Sequence, residues 1–205
     1  MMLTKFIFMK LRFSALLLCL FFIFTTAAFG QKKKPAEKKL TGYYRTYQDF
    51  LDKKLVEQDE LASYFHSVGK VTLVFKKGGE KEKIKCAEIW GFLFKGQLFR
   101  IDETYGQPAK VISAGKITYY ENGWAHMEMI KSGTDKGEYA IGYYGYLSND
   151  LNSKMTPLPI GLSDAKKKFK DFKASNLQHG ALYDCMEDGK SLDVTRNCVA
   201  KYNNI

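Results

Sequence analysis

What this chain lacks first is any signature of a specific chemistry. It contains no G-x-S-x-G elbow, no H-E-x-x-H and no C-x-x-C, which removes the usual serine-hydrolase, zinc-protease and dithiol readings. Histidine is scarce. His66, His126 and His179 lie far apart, so metal binding or acid–base work would need the fold to gather what the spacing does not. Gly189-Lys190-Ser191 has Asp184 where a phosphate loop requires glycine. Asp184-x-x-x-Asp188-Gly189 offers Met186 and Thr195 at the third and twelfth places of a calcium loop. Both stretches read as surface turns, and the expectation is no cofactor, no metal and no enzyme. Long apolar runs are missing after residue 30, so nothing there reaches the ~20 residues that cross a bilayer as a helix. No internal repeat suggests a propeller or solenoid.

Acidic residues are absent from the first dozen positions, which carry Lys5, Lys10 and Arg12 ahead of an apolar run from Phe13 to Phe24. Ala27-Ala28-Phe29-Gly30 then supplies small residues at the places signal peptidase accepts, so residues 1–30 read as a secretory signal cleaved before Gln31. A lipid anchor on Cys19 competes, but Leu18 is large where such a site wants a small residue. Residues 31–39 (QKKKPAEKK) form a basic leader too polar to order itself, and 40–205 is expected to be a single globular domain, β-rich over 40–148 and helical over 149–205. Loss of the signal removes three basic residues and no acid, leaving 29 basic against 22 acidic residues and a charge of +7. For an exported chain the accessible anions are lipids, glycans and polymers, not nucleic acid. Three cysteines then remain. An odd count in an oxidising compartment allows one internal bridge. Cys185 and Cys198 are its candidates, with Cys86 a buried small apolar residue.

Within the domain, CAEIWGFLFKGQLFRI (86–101) is a near-continuous apolar run broken by Lys95-Gly96-Gln97, the mark of a core hairpin. Thr46-x-x-Asp49 predicts a capping box opening a short helix, followed by a loop at Glu57–Glu60. Lys70–Phe75 and Lys81–Cys86 flank Gly78-Gly79 as a hairpin. Val111-Ile112 and Lys116–Glu121 continue the strands, and Asn122-Gly123 predicts a type I′ turn into a partner strand at Trp124–Lys131. Glu138–Leu147 alternates as a further strand. Seven or eight strands at short, even spacing predict a mainly β protein, an antiparallel meander closing as a barrel or sandwich around one shared interior. After the connector holding Pro157 and Pro159, Ser163-Asp164 predict the start of a helix with Ala165, Phe169 and Phe172 on one face. A loop holding His179, Gly180, Cys185 and Gly189 precedes a last helix over Ser191–Tyr202. These C-terminal helices are expected to pack against the strands.

Aromatic residues are plentiful, with 13 Tyr, 15 Phe and 2 Trp. In doublets such as Tyr119-Tyr120 and Tyr143-Tyr144 the two rings point to opposite faces of a sheet. One ring of each pair therefore turns away from the other's core. Outward rings lining a concave face would offer stacking surface with a polar tip, suited to an apolar, aromatic or sugar ligand. Trp90, Tyr119, Tyr120, Trp124, His126, Tyr143 and Tyr144 are the candidate contacts.

A signal ending AFG, the opening GYYRTYQDF, the IWGF strand followed by FKGQLFRI and a cysteine-containing C-terminal tail together resemble uncharacterised exported proteins of Bacteroidetes-type bacteria. That resemblance implies the periplasm or cell envelope of a Gram-negative bacterium and carries no activity to any residue. The expected function is an exported binding or interaction module. A structural envelope protein holding a protein or anionic polymer is the alternative, and a hydrolase built on His126 or Cys185 comes third.

Overall fold

A computed structural model describes residues 39–67, 70–132, 144–159, 164–186 and 191–204. The expected signal, most of the leader, Tyr143, Ser163 and Gly189 lie outside the described residues. The strands are β1 (Thr41–Tyr44), β2 (Val56–Gln58), β3 (Glu60–Ser67), β4 (Lys70–Lys77), β5 (Glu80–Lys85), β6 (Gly91–Phe94), β7 (Gln97–Ile101), β8 (Pro108–Ser113), β9 (Thr118–Asn122), β10 (Gly145–Ser148) and β11 (Thr156–Pro157). The helices are α1 (Tyr47–Leu51), α2 (Gly123–Ser132), α3 (Ala165–Ser175), α4 (Gly180–Met186) and α5 (Leu192–Asn203), with 3-10 turns at Cys86–Glu88 and Leu177–His179.

All strand pairing is antiparallel. Eight strands form one sheet in the order β11-β10-β9-β8-β7-β6-β1-β2, and β3-β4-β5 form a second. The sheet is an open meander and not a closed barrel; two sheets with helices added suit a sandwich. The hairpin over 86–101 does occupy the middle of the core. Phe92 pairs with Phe99 across it and their rings stack 4.9 Å apart. Lys95 and Gly96 both take positive φ in its turn.

Three expectations require correction. Glu57–Gln58 are not loop: β2 pairs with β1, and Asp59 N donates to the Lys76 carbonyl at 2.8 Å, so neighbouring strands recruit a polar segment by backbone hydrogen bonds alone. Asn122-Gly123 makes no hairpin, and Trp124–Lys131 is helix, not strand. The Asn122 side chain accepts from Trp124 N at 2.9 Å, as a helix start requires. Gly123 is needed there for close approach: a Cβ on it would lie 2.4 Å from the Pro108 carbonyl oxygen. The stretch around His179 and Cys185 is likewise helical. Elsewhere Thr46 caps α1 in a complete capping box, Ala165, Phe169 and Phe172 form the buried face of α3, and Ser191 caps α5.

The single shared interior is the fourth correction, because the apolar side chains divide into three clusters. The first joins Tyr43, Phe92, Phe94, Phe99 and Ile101 of the large sheet to Leu73, Phe75 and Ile84 of the small one, with Trp124 and Met127 of α2. A second, on the same face further along the sheet, joins Tyr119 and Leu147 to Phe169, Phe172, Leu182 and Val199 of the helices. A third cluster, on the opposite face, gathers Ala109, Tyr120, Tyr146 and Met155. The two-residue period of β9 and β10 produces this split: Tyr119 pairs with Leu147 and Tyr120 with Tyr146. The bridge between Cys185 and Cys198 joins α4 to α5, and Cys86 is buried and free, both as expected.

Candidate functional site

Two groups of charged side chains interrupt these clusters. Glu121 sits in the row Phe99–Lys110–Glu121–Gly145, between the first two clusters. Its carboxylate is fully buried and saturated. Oε1 accepts from Tyr119 Oη at 2.9 Å and Arg196 Nε at 2.5 Å, while Oε2 is 2.8 Å from both Arg196 Nη2 and His126 Nε2. Burial pushes this carboxyl up, but the Arg196 and His126 hydrogen bonds, the Arg196 charge and Tyr119 outweigh it and hold it at about 2. Lys110, pushed down by burial, lies in the same layer. With every lone pair occupied, Glu121 has none to offer a reacting group. The knot docks α2 and α5 on the sheet.

The second group lies on the opposite face, where Arg100 pairs with Ala109. Arg100 is 1% exposed. Its Nη1 donates to the Ser153 carbonyl at 2.6 Å and to Tyr120 Oη at 3.3 Å; Nη2 reaches Glu103 and the Asn152 carbonyl. One guanidinium thereby holds the β10–β11 loop against β7.

Two residues on, Asp102 is also 1% exposed. Its Oδ2 accepts from Tyr105 N at 2.7 Å, closing a tight turn that Gly106 completes at φ 63°. Oδ1 is sealed from solvent and meets no donor among the described residues. Burial raises the Asp102 carboxyl above its ordinary value, against the pull of the Tyr105 and Thr104 amides and of Arg100 and Lys168.

Asp102 lines a cleft of about 310 Å³ between the β7–β8 loop, the β10–β11 segment and α3. Tyr105, Met155 and Phe172 supply apolar wall; Asp171, Lys154 and Lys168 supply charge. Lys168 Nζ donates to Tyr105 Oη at 3.1 Å and bonds Asp164 at 2.5 Å, and these contacts push its pKa up to about 12. Tyr105, 38% exposed, is thereby held at the rim. The cleft offers a ring to stack on, and donors and acceptors in Lys154, Lys168 and Asp171. In binding pockets a few polar groups set on an apolar wall are what fix a small ligand's orientation.

The sequence-nominated contacts do not converge. Trp90 is half-buried against Tyr44, Tyr47 and Phe50 near α1. Tyr120 and half-buried Tyr144 belong to the third cluster, beneath the side of the sheet that bears Arg100. Tyr119 is in the second cluster, Trp124 in the first, and His126 on the Glu121 knot. Cys185 is in the bridge and so is no nucleophile. His179 is buried with Nδ1 2.9 Å from Tyr202 Oη. Sequence reasoning passed over Arg100, Asp102, Glu121 and Arg196. A signal existed: charged residues inside the apolar runs LFRID and TYYEN are unusual unless paired or functional.

Among the described residues no cluster of His, Cys, Asp or Glu could hold a metal, and no helix is long and apolar enough to cross a membrane. Compared with protein-family models, curated proteins and solved structures, the chain matches none.

Proposed function

We propose that the chain is an exported binding module of a Gram-negative envelope, and that the cleft beside Asp102 takes a small hydroxylated ligand of the sugar class. The observation that carries this reading is the cleft itself, about 310 Å³, which sets Lys154, Lys168 and Asp171 around an apolar wall of Tyr105, Met155 and Phe172. Tyr105 at the rim supplies the face on which a sugar ring stacks. Export rests on the signal-like pattern of residues 1–30.

Calorimetric titration with a panel of neutral and acidic saccharides tests the reading. Binding is expected, and Asp171→Asn and Tyr105→Ala should each weaken it by about tenfold, the loss of roughly 1.4 kcal/mol. Asp171 is exposed, so Asp171→Asn should leave the melting temperature unchanged. The absence of any saccharide binding, or binding indifferent to both substitutions, would defeat this assignment.

A further inference from the structure

The small sheet has an outward face whose chemistry differs from that of its inward one. Tyr64, Leu73, Phe75 and Ile84 pack into the first cluster, and the pleat therefore turns their neighbours outward. Three cross-strand rows result: Phe65–Thr72–Lys85, Ser63–Val74–Lys83, in which Val74 at the middle of the sheet is itself buried, and Lys76–Lys81. Charge follows the pleat. Lys81, Lys83 and Lys85 of β5 are exposed on the outward side, whereas Glu82 turns inward to accept from Tyr43 Oη at 2.8 Å and Gln58 Nε2 at 2.9 Å. Among the described residues acids reach the outward face only at its margins, where Glu60 pairs with Lys76 and Glu88 with Lys85. Lys81 and Lys83 have no ion-pair partner among the described residues. On the other edge strand Phe65, in the row that ends on Lys85, is 57% exposed.

We propose that this face docks on an anionic lipid surface. Lysines also guard edge strands against pairing, but that task asks for charge along the edge, not for lysines on one face with the acids turned to the other. Charge alone would suit any polyanion. The exposed phenyl ring favours lipid, because it has no polar tip with which to hydrogen-bond a glycan and is stabilised at the boundary of headgroups and acyl chains, where flanking ammonium groups meet phosphates. The proposal is independent of the cleft: a chain that binds no sugar could still dock, and the reverse.

The test reads the face itself. In the full chain, Phe65→Trp places an indole on this face, in the row that ends on Lys85, and its fluorescence is taken as the difference from the unsubstituted chain, which holds Trp90 and Trp124. Vesicles of phosphatidylglycerol and phosphatidylcholine carrying brominated acyl chains should quench and blue-shift that signal; phosphatidylcholine alone should not. Adding Lys81→Glu and Lys83→Glu should weaken the response at least about tenfold, and raised salt should weaken it too, with the thermal midpoint unchanged because both lysines are exposed. An indole signal indifferent to anionic lipid, or insensitive to the two lysines, overturns the proposal. So does a soluble anionic polysaccharide that elicits the same lysine-dependent response while vesicles do not, which would make a polymer the partner.

Discussion

Arg196 and Glu121 show how one pair of side chains decides the behaviour of a whole region. Arg196 leaves solvent only in part, yet it supplies two of the four hydrogen bonds that make the Glu121 charge tolerable. Arg196→Met should cost about 3 kcal/mol, because breaking a buried pair strands the remaining charge; urea unfolding at pH 7 measures it. The acid limb of stability follows with a definite sign. Glu121 has a folded pKa of about 2, below its ordinary 4.5, so its contribution is complete above pH 4.5 and is lost as pH falls from there through 2. In Arg196→Met that loss should shrink, and unfolding midpoints at pH 6 and pH 2.5 would reveal it. Cys86 behaves oppositely: burial alone pushes its thiol up to about 12. Native protein should therefore resist alkylation at pH 8 and react only once unfolded. Rapid labelling of the native chain would refute that burial.

At the scale of elements, α2 is the clearest case of tertiary context overriding local preference. Asn122-Gly123 is a strong hairpin signal because its residues accept positive φ, but Gly123 is not among the positive-φ residues. The site needs a residue without a Cβ against Pro108. Gly123→Ala should destabilise by about 2 kcal/mol, since backbone and not a flexible side chain stands in the way. A thermal midpoint equal to that of the unsubstituted chain would show that β8 yields there. Alternation in Trp124–Lys131 is equally misleading. Trp124, Ala125 and Met127 are all buried, which a helix lying on the sheet permits and a half-exposed strand does not.

The whole molecule is held at its C-terminal end by a cross-link and an ion pair that both involve α5. The 13-residue separation between Cys185 and Cys198 makes the bridge worth about 3 kcal/mol. Cys185→Ser with Cys198→Ser should lower stability by that amount. Hydrogen exchange should then quicken first in α4 and α5, while the central hairpin stays protected. Uniform acceleration across both sheets would mean that the helices and strands unfold as one unit.

How much of this was legible in advance depends on whether the cause is local. The antiparallel character, the hairpins around Gly78-Gly79 and Lys95-Gly96, the caps at Thr46 and Ser191, the apolar face of α3 and the Cys185–Cys198 pairing all follow from neighbours a few residues apart, or from counting. The candidate site does not. Asp102, Tyr105, Met155 and Phe172 are separated by up to 70 positions, and the tyrosines that looked like ligand contacts are the residues a sheet buries to fill its own clusters. Composition and period thus determined that the chain forms antiparallel strands followed by helices. Only the packed structure decided which face each ring takes and where a carboxyl is left without a donor, because burial and pairing depend on which distant segments meet.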